Sequence, residues 1–147
     1  MRLPTAPAAL ALLLLIWLPH ATAMAWDGSR GLIYLSRGAY PAAMGWYKSE
    51  AMRVPDHAGP LGGLALAKCR VGRVTEARDH LADAAEIDAA EPMVQTAEAC
   101  LALADGDPDR AFELHQAAAD GASFPYHRRE LAWFLIHQGR FSEAREV

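Results

Sequence analysis

The sequence predicts an all-α chain built from stacked pairs of antiparallel helices. Three observations carry this: a set of small residues that recurs at one fixed period, the placement of the prolines, and a composition rich in alanine and leucine. Gly38, Gly72, Gly106 and Gly139 stand 34, 34 and 33 residues apart, and each is followed five residues later by alanine, at Ala43, Ala77, Ala111 and Ala144. Seven residues before each glycine lies another small residue, Gly31, Ala65, Ala99 or Ala132. Self-similarity at a period of this length is the signature of an array in which each unit is one supersecondary element.

Each unit reads as two helices. The glycine ends the first in a left-handed conformation that a Cβ disfavours, and the alanine lets the second helix lie close against the first. Pro41 and Pro108 fall at the first turn of a second helix, Pro92 and Pro125 at the first turn of a first helix, the one helical position where a missing N–H costs nothing. The expected helices run 27–37, 41–53, 60–71, 74–88, 92–105, 108–120, 125–138 and 141–147, with Asp107 as the N-cap of the sixth. The units run 24–57, 58–91, 92–124 and 125–147, the last incomplete.

Ahead of the array, residues 1–23 have the form of a signal peptide. Arg2 supplies a positive start, Ala8 to Leu18 is an eleven-residue apolar run, Pro19 breaks it, and Ala21-Thr22-Ala23 or Ala23-Met24-Ala25 offers a cleavage site. The run is about half the length that spans a bilayer, so no stable membrane insertion is expected after processing, and the mature chain is expected to start at Met24 or Trp26. Without Arg2, 13 basic side chains face 18 acidic ones, a balance that argues against nucleic acid as a partner. Only two of the basic residues are lysine, a bias that fits a GC-rich bacterial genome, so export would mean the periplasm or secretion.

With these landmarks the chain resembles the tetratricopeptide repeat family; the Sel1-like repeats, whose units are usually longer, come second. The first unit carries the resemblance best, through Gly31, Tyr34, Gly38, Tyr40, Ala43, Tyr47 and Pro55. Later units depart from it, with Lys68 and Ala102 in the place of Tyr34, His115 in that of Tyr47, and Ala89 and Ser123 in that of Pro55. The resemblance implies a right-handed superhelix of antiparallel helix pairs, a solenoid whose concave face, lined by the first helices, receives a partner peptide or helix.

Transferring that stripe by register places Leu32, Leu35, Ser36, Leu66, Cys69, Arg70, Met93, Thr96, Cys100, Leu103, Tyr126, Arg129, Trp133, Ile136 and His137 in the groove. Such a lining is mostly apolar with an aromatic cluster and two arginines, which suits an apolar or amphipathic helical ligand. The expected function is therefore an exported, non-enzymatic scaffold that holds a protein partner. Two other readings stay open: a thiol, redox or soft-metal accessory role for Cys69 and Cys100, which fall on neighbouring first helices and could pair as a disulfide, and the N-terminal piece of a longer repeat protein.

Nothing in the sequence has the spacing of a catalytic or metal motif, and no cofactor or metal is expected. No two of His57, His80, His115, His127 and His137 lie three or four apart. Asp79, Asp83, Glu86 and Asp88, with Arg73 and Arg78, read as a solvated helix face, and Asp105, Asp107 and Asp109 as a turn, since the closing Glu of a calcium loop is missing. The short final helix, and Leu131, Trp133, Phe134, Leu135, Ile136 and Phe141 near it, predict that the C-terminal end self-associates or is covered by further chain.

Overall fold

The computed structural model describes residues 26–147, so the expected signal peptide, residues 1–23, lies outside the described residues. Helices α1 (Ser29–Ser36), α2 (Tyr40–Arg53), α3 (Ala58–Arg70), α4 (Val74–Asp88), α5 (Pro92–Ala104), α6 (Pro108–Gly121), α7 (Pro125–His137) and α8 (Phe141–Ala144) follow one another with short connections. Each packs on the next, and α3, α5 and α7 also touch in an inner row, which makes the fold an all-α helical repeat.

The periodic glycines do the same job four times. Gly38, Gly72, Gly106 and Gly139 have φ of 68°, 80°, 78° and 72°. Past each, the next residue donates its N–H five residues back, Ala39 to the Tyr34 carbonyl, Arg73 to Lys68, Asp107 to Ala102 and Arg140 to Leu135. This closes the carbonyls that a helix end otherwise leaves unpaired. The alanines behind them are fully buried at Ala43, Ala77 and Ala111, and only partly so at Ala144.

Three boundaries differ from the sequence expectation by two residues or more, the first helix starting at Ser29 and not at 27. The third helix begins at Ala58, two residues early, because the Gly59 N–H donates to His57 Nδ1 at 3.1 Å and caps it. The last helix ends at Ala144 and not at 147, a single turn with no buried residue. Asp107 Oδ1 does accept from the Arg110 N–H at 3.0 Å. The cap of α5 is Glu91, whose carboxylate accepts from the N–H groups of Met93 and Val94 at 2.6 and 3.1 Å.

Close approach of the inner helices rests on glycine. The fully buried Tyr47 ring lies against Gly31 and Gly63, where a Cβ would come within 2.4 Å of it. At Gly62 a Cβ would come within 2.9 Å of the Val94 backbone nitrogen, so α3 touches α5 main chain to main chain. Gly45, also helical, has nothing within 4 Å. The same substitution should therefore have opposite signs at the two sites. Gly45→Ala is expected to stabilise by up to about 1 kcal/mol through helix propensity, and Gly62→Ala to destabilise by about 1–2 kcal/mol because backbone must move apart. Urea unfolding of both variants checks this, and a stabilised Gly62→Ala would mean the α3–α5 approach is wrong.

Three of the six apolar residues expected at the open end are not open. Leu131, Phe134 and Leu135 are buried against α5 and α6, in one cluster with Ala99, Ala102, Ala111 and Leu114, while Trp133, Ile136 and Phe141 are exposed. The helical period is the cause, since it turns these positions of α7 to two different faces, one toward the core and one toward the surface.

Candidate functional site

Helix α7 turns Tyr126, Arg129, Trp133 and His137, spaced three, four and four residues apart, toward the C-terminal end of α1. A cleft of about 610 Å3 lies between them. Leu35 and Ser36 of α1 and Tyr40 at the start of α2 form the far wall; Arg70 and Leu103, at the ends of α3 and α5, and His115 of α6 line it from below. A second opening of about 330 Å3 continues it along the N-terminal halves of α1 and α7, past Leu32, Ile33 and Phe124, and shares Ser36, Tyr126 and Arg129.

The expected stripe thus divides. Leu35, Ser36, Arg70, Leu103, Tyr126, Arg129, Trp133 and His137 line the cleft, and Leu32 its extension. Leu66, Cys69, Met93 and Thr96 are buried, Cys100 is half-buried and Ile136 is exposed, and none of them lines it. The correction has a physical cause. Because α3 and α5 approach closely, their facing side chains cover one another, and only their C-terminal ends reach the cleft. The lining is accordingly aromatic and charged, not mostly apolar.

Cys69 and Cys100 form a disulfide that ties α3 to α5, with Cα atoms 6.4 Å apart. Arg70 is the next residue after Cys69, and Leu103 lies three after Cys100, so the bond fixes the two helix ends that form the cleft floor. Among the described residues, no group of three or more His, Cys, Asp or Glu side chains is placed to hold a metal ion.

Charges in the cleft are unequal. Glu130 is the one acidic residue of the lining, and it accepts from Arg70. The Arg129 guanidinium lies 3.7 Å from the other Glu130 oxygen and 5.0 Å from the centre of the Tyr126 ring, an ion pair and a cation–π contact together. Trp133 is 57% exposed, and its ring stacks on His137 at 4.5 Å between centroids. His137 is itself held by donating from Nδ1 to the Trp133 carbonyl at 2.8 Å.

The sequence reads His115 as filling the slot of Tyr47, and His127 only as a histidine without a nearby partner in sequence. The structure buries both, at 2% and 4% exposure. Burial pushes each imidazole down to about 4, with Arg70 and His127 adding to the effect at His115. His127 sits 2.8 Å from Thr96 Oγ1, whose own proton goes to the Pro92 carbonyl, so His127 must donate from Nδ1. His115 Nδ1 has no hydrogen-bond partner among the described residues. No spacing rule would have singled out His115 or Glu130 as cleft residues, because their positions depend on the array's curvature.

No family model matches the chain, and no curated protein matches it. Among solved structures it is similar to "MamA D159K mutant 1", at 21% identity over 92% of this chain and 81% of that one, with a TM-score of 0.42. It is also similar to "MamA MSR-1 C2", at 20% identity over 92% and 80%, with a TM-score of 0.44.

Proposed function

We propose that the chain is an exported scaffold of the tetratricopeptide type that holds a segment of a partner protein in the cleft between α1 and α7, and that it is not an enzyme. The observation that carries this is Trp133, a large aromatic more than half exposed at the mouth of a cleft that also holds Arg70 and Arg129. Tryptophan, tyrosine and arginine dominate interface energetics. Along the thirteen residues of α7 the cleft has room for about six residues of extended chain or for three to four turns of helix. The Cys69–Cys100 bond supports the export half of the reading, since disulfides persist in oxidising compartments. N-terminal sequencing of the protein from an envelope fraction should give Met24 or Trp26; a retained Met1 would make Ala8 to Leu18 an anchor.

Trp133→Ala is expected to weaken retention of the partner from an envelope extract by about 2–3 kcal/mol, some 30- to 150-fold, while leaving the melting midpoint within a few degrees of wild type. A variant that melts early but binds normally once folded would place Trp133 in the core and remove the cleft from the binding surface.

A further inference from the structure

A small cavity of about 160 Å3 lies apart from the cleft, where the N-terminal end of α5 meets the C-terminal end of α6. Its wall carries one charged side chain, the half-buried Glu91, and no lysine or arginine. One oxygen of that carboxylate, Oε2, caps α5 by accepting from Met93 and Val94. The other, Oε1, has no hydrogen-bond partner among the described residues, and it is not one of the sealed polar atoms that lack one. No cation offsets the charge: burial raises the Glu91 carboxyl, and Asp88 adds to the effect. His127, in the same wall, stays neutral, because burial pushes its imidazole down to about 4. The end of α6 makes the cavity more negative still. Gly121 and Ala122 line it, and among the described residues no N–H beyond α6 returns to the last carbonyls of that helix, unlike the glycine-closed ends of α1, α3, α5 and α7. A helix C-terminus with unpaired carbonyls carries about half a negative charge and favours a cation. Trp26 and Phe124 add aromatic wall, which attracts cations as well. The Trp26 ring is held on α3 at Gly59, where a Cβ would come within 2.4 Å of it.

We propose that this cavity binds a primary alkylammonium group, the end of a lysine side chain or the head of a free amine of the same kind. The ammonium donates to Glu91 Oε1 and to the free carbonyls at the end of α6, and its alkyl stem lies against Leu32 and Phe124. Both kinds of acceptor call for N–H donors, of which a primary ammonium has three. The volume, that of about five water molecules, suits one such head with its stem. The site is separate from the cleft and stands whether or not the cleft holds a protein segment. It borders the extension of the cleft, with which it shares Leu32 and Phe124, so a lysine of a segment lying there would reach it.

The test uses the full chain with its disulfide intact, isotope-labelled for amide NMR, at about pH 7.5, where carboxylates are ionised and alkylamines protonated. Butylammonium chloride is titrated in at constant ionic strength, against equal concentrations of tetramethylammonium chloride and sodium chloride. Saturable shifts are expected at the amides of Met93, Val94, Ala122 and Phe124, with binding at least about tenfold weaker for tetramethylammonium, which has the charge but no donor. Glu91→Gln keeps an oxygen for the helix cap and removes the charge, and it should weaken butylammonium by about tenfold or more. Phe124→Leu keeps an apolar wall without the ring, and it should weaken binding by about threefold. An acetylated, amidated glycine-lysine-glycine peptide separates the sources. Its binding at the same amides identifies a lysine side chain as a ligand, whereas butylammonium binding without it restricts the site to free amines. Equal shifts with tetramethylammonium or sodium, shifts spread over exposed carboxylates such as Asp105 and Glu113, or binding unchanged in Glu91→Gln would overturn the site and leave the scaffold reading standing.

Discussion

Acidification from about pH 7.5 to about pH 5 is expected to destabilise the fold by roughly 4 kcal/mol through two imidazoles, His115 and His127. In the folded chain burial holds both down at about 4, whereas in the unfolded chain they titrate near 6.5. Above 6.5 both are neutral in either state, and they contribute no pH dependence. Between 6.5 and 4 the unfolded chain takes up protons that the folded chain refuses, so stability falls as pH falls, by about 2 kcal/mol per imidazole at pH 5 and about 3 once the folded value is passed. Glu91 works in the opposite direction, because burial raises its carboxyl above 4.5 and protonation relieves it, while His57 and His80, whose imidazoles burial also lowers, add to the loss. Urea unfolding at several pH values measures the slope, and the decisive comparison is with His115→Phe. That variant keeps an aromatic in the slot beside Phe134 and should lose the share that His115 supplies, about 2 kcal/mol between pH 7.5 and pH 5; an unchanged slope would mean that His115 is solvated.

How much of this was legible beforehand follows from what a periodic pattern can encode. Gly38, Gly72, Gly106 and Gly139 announced the helix ends because a left-handed residue and a close helix crossing each restrict a position to one or two residue types, and the structure places all four at positive φ. The groove was legible only in part. Register tells which side of a helix faces its inner neighbours, and by that rule Leu66, Met93 and Thr96 were equivalent to Arg70, Leu103 and Trp133. Burial separated them: the first three lie where α3 and α5 are in backbone contact at Gly62, the others at helix ends where the array opens. Nor could the pattern reveal that α1 and α7 stand on opposite sides of one cleft, since that depends on the rotation accumulated over three units. His115 occupies a slot that is tyrosine in the first unit, and read by slot it is core; the structure buries it there and also places it along the cleft.

Breaking the Cys69–Cys100 bond is expected to cost about 4 kcal/mol, which for a domain of this size lowers the melting midpoint by about 15 °C. The two cysteines are 31 residues apart, so the bond closes a loop containing the end of α3, all of α4 and most of α5, and the unfolded chain loses a correspondingly large share of its freedom. The effect should not be confined to the global transition. Because Cys69 adjoins Arg70 and Cys100 is one turn from Leu103, the bond also sets the spacing of the cleft floor, and without it α3 and α5 are held at that end chiefly by Leu101, Ala77 and the partly buried Leu81 and Val74. Reduced protein and the Cys69→Ala/Cys100→Ala double variant should therefore behave alike: both unfold at lower urea, and amide exchange speeds up at the C-terminal turns of α3 and α5 more than at Gly62, where backbone contact is independent of sulfur. Equal stability with and without reductant, within about 1 kcal/mol, would show that the α3–α5 interface holds itself and that the bond is dispensable to the fold; faster exchange at Gly62 than at Arg70 would show that the sulfurs, not the glycine contact, set the helix separation.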